Sequence, residues 1–225
     1  MHHEYSEPET LVNSEATSTV GVDDKESLEE ALLSSSKFLN YRESYERHAI
    51  KNPHSVIEEH LYPNFTGQTL MGRDKVNYRG DTFYFIDEKY FKYEDFNEVD
   101  GENFSVTFLH LGSKLSGHTG IIHGGLLATF LDEMTCRLAF QNISSKKGVT
   151  ANLNINYRKP CLADNYVMIK CSIIKKIGRK CWVKGCVYTV DLDNACDIED
   201  NENLAAECEV LVVEPRWVHK LSNTK

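Results

Sequence analysis

The residues best able to do chemistry lie in the run 120–133. His123, Gly124 and Gly125 stand where a Gly-rich loop, 112–120, passes into an apolar-periodic segment, and Asp132 follows nine residues after the histidine. The first N–H groups of a helix have no internal partner and lie at the positive end of its dipole. Glycine there lets a substrate reach the backbone. That combination suits a carbonyl oxygen gathering negative charge. A carboxylate further along could take a proton from water. Read alone, His-Gly-Gly also serves a plain tight turn, and Asp132 is equally an ordinary solvated helix carboxylate.

Such a junction needs a helix behind it. Leu127, Phe130, Leu131, Met134 and Leu138 recur at i, i+3, i+4, i+7 and i+11, which predicts a helix over 126–140 with one apolar stripe. Its opposite side carries Gly125, Thr129, Asp132 and Cys136, small or polar residues that let a ligand or another chain approach. The segment 104–111 alternates as a strand, and four more strands are predicted at about 148–157, 165–177, 180–190 and 203–213. Gly178 marks a hairpin turn, and the acidic stretch 191–203 reads as a solvated loop. One helix among a run of antiparallel strands predicts an α+β domain with the sheet wrapped around that helix. On the strand at 148–157, period-2 alternation places Thr150, Asn152, Asn154, Asn156 and Arg158 on one face. Ala151, Leu153, Ile155 and Tyr157 then lie on the other, toward the helix.

The chain of 225 residues divides by composition into four parts: an acidic arm at 1–23 expected to be disordered, a helical extension at 24–70, a main domain at 71–214 and a tail at 215–225. Within the extension, helices are predicted over 25–39 and 41–51. The net charge of −9 is uneven: residues 146–184 hold ten bases and one acid, and residues 191–214 hold nine acids and no base. This balance argues against a nucleic-acid partner. The basic block either covers a wet sheet face or attracts an anionic small ligand. Seven cysteines at irregular spacing, without a CxxC pair, read as reduced thiols inside a cell rather than a disulfide framework or a zinc site. No apolar run reaches the roughly 20 residues that span a bilayer. The first 24 residues lack Lys and Arg, which argues against a secretory signal or an Arg-rich transit peptide. The expected location is intracellular and cytoplasmic, with mitochondria left open.

The His-Gly-Gly run with Asp132 nine residues after the histidine resembles the hotdog-fold acyl-CoA thioesterase superfamily, in particular its PaaI-type branch. The strand 149–160, the later Gly178-Arg179-Lys180 and the closing segment 205–213 are similar to the same family, so the resemblance covers about 104–213. It implies hydrolysis of an acyl-CoA thioester with no cofactor beyond the substrate's own CoA. By this resemblance the catalytic carboxylate falls on Asp132, the oxyanion-hole glycine on Gly124 preceded by His123, and the hydroxyl that positions the attacking water on Thr150. Contacts to CoA fall on Asn156, Arg158, Arg179 and Lys180. Some relatives place an Asn six residues before the histidine; here that position is Gly117, beside His118.

Gly124 and Asp132 are eight residues apart, about 12 Å along one helix. A base and an oxyanion donor must both reach one carbonyl. The expected site therefore pairs Gly124 of one copy with Asp132 of another, in a homodimer or a dimer of dimers. His110, His118 and His123 match no common zinc spacing, and no metal is expected. Glu133 points about 100° away from Asp132 around the helix and reads as an ion-pair or supporting residue. Cys136 reads as packing. Two alternatives stand beside hydrolysis: a silent acyl-CoA-binding or partner-binding module, and a hydratase or dehydratase, which would want a His-x-Asp tripeptide that the chain lacks.

Overall fold

The computed structural model describes residues 23–46, 65–86, 95–97, 103–193 and 197–220. Two helices open it, α1 (Asp23–Ser34) and α2 (Ser36–Glu46). After a single π-type turn (Phe65–Thr69) come β1 (Val76–Arg79), β2 (Phe83–Ile86), β3 (Phe96–Asn97) and β4 (Asn103–Leu111). Two short strands, β5 (Ser116–His118) and β6 (Ile121–Ile122), lead into α3 (Gly124–Gln141). Then follow β7 (Val149–Tyr157), β8 (Asn165–Ile177), β9 (Lys180–Val190) and β10 (Leu204–Val213). The antiparallel sheet runs β1-β4-β8-β9-β10-β7, with β2 beside β4 and β3 beside β8. This is the expected α+β hotdog arrangement, a sheet wrapped around one long helix.

The apolar stripe of α3 meets the inner face of the sheet. Leu127, Phe130, Leu131, Met134 and Leu138 are all buried there with Leu109, Val167, Ile169, Val183 and Val210. At Gly185 of β9 the approach is closest: an added Cβ would stand 2.8 Å from Leu131 Cδ2 and 2.9 Å from Cys208 Sγ. Only a residue without a side chain lets the helix seat at that point.

Strands β4 and β8 are largely buried on both faces, so the outer face must also be covered. Leu32 and Phe38 of α1 and α2 supply the cover, packing with Tyr78, Val106, Phe108, Tyr166 and Met168. The helix predicted over 25–39 is thereby divided, and its second part, α2, continues through position 40 into the one predicted over 41–51. Ser35 makes the break, with its hydroxyl accepting the Phe38 N–H at 3.5 Å, the position of an N-cap. The acidic loop is likewise not simply solvated. Ile198 is fully buried in the outer core, and Glu199 accepts hydrogen bonds from Lys170 Nζ at 2.6 Å and from the Tyr41 hydroxyl. The loop folds back because an apolar residue inside the acidic run completes that core. The acidic arm at 1–22, the chain beyond Glu46 to 64, and the aromatic run beyond Ile86 lie outside the described residues, as does Cys196. No helix among the described residues is long and apolar enough to cross a membrane.

Candidate active site

Asp132 stands in the middle of α3 on the side away from the stripe. Thr150 Oγ1 donates to Asp132 Oδ1 at 2.5 Å, and Cys136, one turn beyond Asp132, places its Sγ 3.1 Å from the same hydroxyl. Regular alternation on β7 would turn Thr150 outward with the asparagines. A bulge prevents this: Leu211 pairs with Asn152 and Val212 with Thr150, so Ala151 is left opposite no partner. An extra residue in a strand reverses the side-chain parity across it. Thr150 therefore joins Leu153, Ile155 and Tyr157 on the helix face, and Ala151 is exposed rather than facing the helix. Asn152, Asn154 and Asn156 are exposed on the outer side, paired with Leu211, Glu209 and Glu207.

At the start of the helix His123 is the N-cap, and its Nδ1 accepts the Gly125 N–H at 2.9 Å. The N–H groups of Leu126 and Leu127 turn back to the His123 carbonyl. Gly124 N–H is the one donor of this first turn that no group among the described residues takes up. The Tyr157 hydroxyl donates to the Gly124 carbonyl at 2.9 Å, which fastens the end of β7 to this turn. Gly117 lies against His123: a Cβ there would come 2.8 Å from His123 Cδ2 and 3.1 Å from its Cα. An asparagine at that position would displace the cap, which accounts physically for the glycine.

The charged residues expected to hold CoA are not gathered in one place within one chain. Arg158 follows the Tyr157 end of β7 and donates through Nε to Glu207 Oε1 at 2.9 Å, with Nη2 bonded to the same oxygen. These bonds hold the Glu207 carboxyl below its ordinary range. Lys180 pairs with Val213, which in turn pairs with Val149 at the other end of β7. Arg179 beside it donates to the Glu214 carbonyl at 2.8 Å. Lys180 and Arg179 thus share the Thr150 end, while Asn156 and Arg158 share the Gly124 end. From Thr150 to Arg158 is eight residues, about 25 Å of extended strand.

Next to Asp132 along the helix lies a part-buried ion pair. Arg137 Nη2 donates to Glu133 Oε1 at 2.6 Å, and Arg137 is only 2% exposed. Burial pushes the Glu133 carboxyl up, against a hydrogen bond from Thr66 and the charge of Arg79. The sequence marked Glu133 as an ion-pair or supporting residue without a partner; the Thr66 and Arg79 contacts came from distant segments and carried no local signal. Nor did the pairing of Tyr157 with Gly124 or of Cys136 with Thr150. Of the histidines, His110 is buried against Tyr166 and within hydrogen-bond reach of Asn77 Nδ2. No three His, Cys, Asp or Glu side chains gather as a metal would need among the described residues.

Residues 119–195, which hold the helix, β7, β8 and β9, match the family described as Thioesterase superfamily. An uncharacterized mitochondrial protein of Candida albicans is 31% identical over 164 residues, 73% of this chain and 66% of that protein. The mouse acyl-coenzyme A thioesterase THEM4 is 36% identical over 96 residues, 43% of this chain and 40% of that protein. A solved structure, zebrafish thioesterase superfamily member 2, is 17% identical with a TM-score of 0.41, covering 54% of this chain and 80% of that one. The chain spans between 33% and 66% of the length of the curated relatives it matches. A sheet wrapped on one helix, a helix start with an unclaimed glycine N–H, and a threonine-held aspartate at mid-helix coincide with the matched residues, and it is this part of the chain, 119–195, that is similar to the thioesterase superfamily.

Proposed function

We propose that this protein hydrolyses an acyl-CoA thioester to a carboxylic acid and CoA, at sites completed by a second copy of the chain. The observation that carries the reading is the separation of two complementary half-sites on one helix. Asp132, oriented by Thr150, stands about 12 Å along α3 from the unclaimed Gly124 N–H. Strand β7 ends the sheet, and its outer edge has no neighbour among the described residues. Such an edge is a template for another strand. A second copy added antiparallel there sets the Thr150 end of one chain against the Arg158 end of the other. Each of the two sites then gains Asp132, Thr150, Arg179 and Lys180 from one chain and His123, Gly124, Asn156 and Arg158 from its mate. A dimer of dimers keeps the same pairing.

In the reaction, Asp132 takes a proton from water as the water oxygen attacks the thioester carbonyl. The Gly124 N–H of the other copy receives the oxyanion. Collapse breaks the C–S bond, and the departing CoA sulfur takes the proton from Asp132. Direct attack by Asp132 through a mixed anhydride uses the same residues. No metal or other cofactor enters either route. CoA phosphates are matched by the basic residues at the two strand ends. A mitochondrial site of action is favoured by the name of the Candida relative.

Release of free CoA thiol from a series of acyl-CoA esters of graded chain length tests the proposal. Turnover on at least part of the series is expected. Tight binding of the esters with no thiol release would instead mark a silent acyl-CoA-binding module, and hydration of an enoyl ester without thiol release would mark a hydratase.

A further inference from the structure

Cys136 is not accounted for by the hydrolysis scheme, yet it touches the group that orients the base. Asp132 and Cys136 are four residues apart on α3 and so lie on one face, one turn from each other. The bulge at Ala151 inserts Thr150 Oγ1 between them, 2.5 Å from Asp132 Oδ1 and 3.1 Å from Cys136 Sγ.

The number of protons fixes the direction of both contacts. A carboxylate acting as base is an acceptor only, and a threonine hydroxyl has one proton to give. That proton goes to Asp132. The contact between sulfur and Thr150 then has no proton left from the hydroxyl, so the thiol must donate. We infer that Cys136 is a positioning residue for the hydrolysis: its S–H donates to Thr150 Oγ1, and Thr150 O–H is thereby held on Asp132 Oδ1. This rests on Asp132 being the reactive carboxylate. Burial pushes the Cys136 thiol up to about 12, so the sulfur keeps its proton and remains a donor. The chain Cys136 to Thr150 to Asp132 leaves Asp132 Oδ2 for the attacking water, with the carboxylate plane set by a hydroxyl that cannot rotate away. A thiol is a weak donor, but in a chain of hydrogen bonds that ends on a carboxylate each member strengthens the next by polarising it.

Three variants test it. Cys136→Val keeps the bulk and removes the donor. Its kcat should fall about 2- to 10-fold, the span of one hydrogen bond, with KM for CoA esters and the melting temperature unchanged. Cys136→Ser restores a donor and should recover most of the lost kcat. Cys136→Ala repeats the loss should valine crowd the helix. In an Asp132→Asn background, Cys136→Val should have no further effect, because the two act as one unit. Wild-type kcat in both the valine and alanine variants overturns the inference, as does an equal loss in the serine and valine variants, which would make sulfur's size the cause. Near-normal turnover by Asp132→Asn alone would instead remove the hydrolytic assignment of Asp132, so the two failures are told apart.

Discussion

At the Asp132 end of α3 the group proposed to react is a side chain, turned into place by Thr150 and flanked by the Glu133–Arg137 ion pair. At the Gly124 end it is a backbone N–H, oriented by the helix itself and left over because the His123 ring has taken its neighbour. The contrast shows two economies of construction. A carboxylate on a flexible stem needs partners from another strand, and a bulge had to be placed in β7 to deliver one. A helix-terminal N–H needs no partner, only room, and glycines at 117, 124 and 125 let the His123 and Tyr157 side chains pack closely around that turn. Damage should therefore act through chemistry at one end and through space at the other.

The largest expected effect is at the side-chain end. Asp132→Asn keeps the shape and the Thr150 contact but removes the base, so thioester hydrolysis should fall about 10²-fold or more while CoA binding persists. Steady-state thiol release beside a binding titration checks both parts. Turnover near that of the wild type would end the assignment.

Joining the two ends comes next. Gly124→Pro removes the N–H at the first helical position, one that helices accept for proline. A new Cβ there would stand 3.3 Å from the Tyr157 ring, so circular dichroism must show the fold intact. Refolding this variant together with Asp132→Asn should return activity to about a quarter of wild type, because half of randomly formed dimers are mixed and each holds one intact site. No recovery, with subunit exchange demonstrated by mass, would place base and oxyanion donor in one chain.

A several-fold effect is expected at the charged residues of the Thr150 end. Replacing Arg179 and Lys180 together by alanine should raise KM more than it lowers kcat, since phosphate contacts are much the same in ground and transition states. Added salt should weaken binding to the native protein more than to the variant. Arg158→Ala should change KM less, because its guanidinium is already engaged by Glu207.

Smallest of all is Tyr157→Phe, which frees the Gly124 carbonyl. Tyr157 is 54% exposed, so water replaces much of the lost bond. A loss of about 0.5–1 kcal/mol is expected, read from the urea midpoint at fixed protein concentration. A large fall in kcat instead would mean that the first turn of α3 is not oriented by the helix alone.

Much of this was legible along the chain. The stripe from Leu127 to Leu138, the strand limits of β8 and β9 and the Gly178 turn are local patterns, and periodicity reports them directly. So was the 12 Å problem, because helix rise turns residue number into distance. The orientation of Thr150 was not. It depends on a one-residue slip between β7 and β10, and alternation read from sequence assumes that no slip occurs. The role of Ile198 and Glu199 was hidden for a related reason: six acids without a base at 191–203 describe a wet loop until Lys170 and Tyr41 are brought beside it. The order of residues thus dictated which elements form and which faces are apolar, since those follow from near neighbours. Cross-strand register and the burial of groups far apart in the chain depended on three-dimensional packing, and these aim Thr150 at Asp132 and set the two proposed half-sites at opposite ends of one strand.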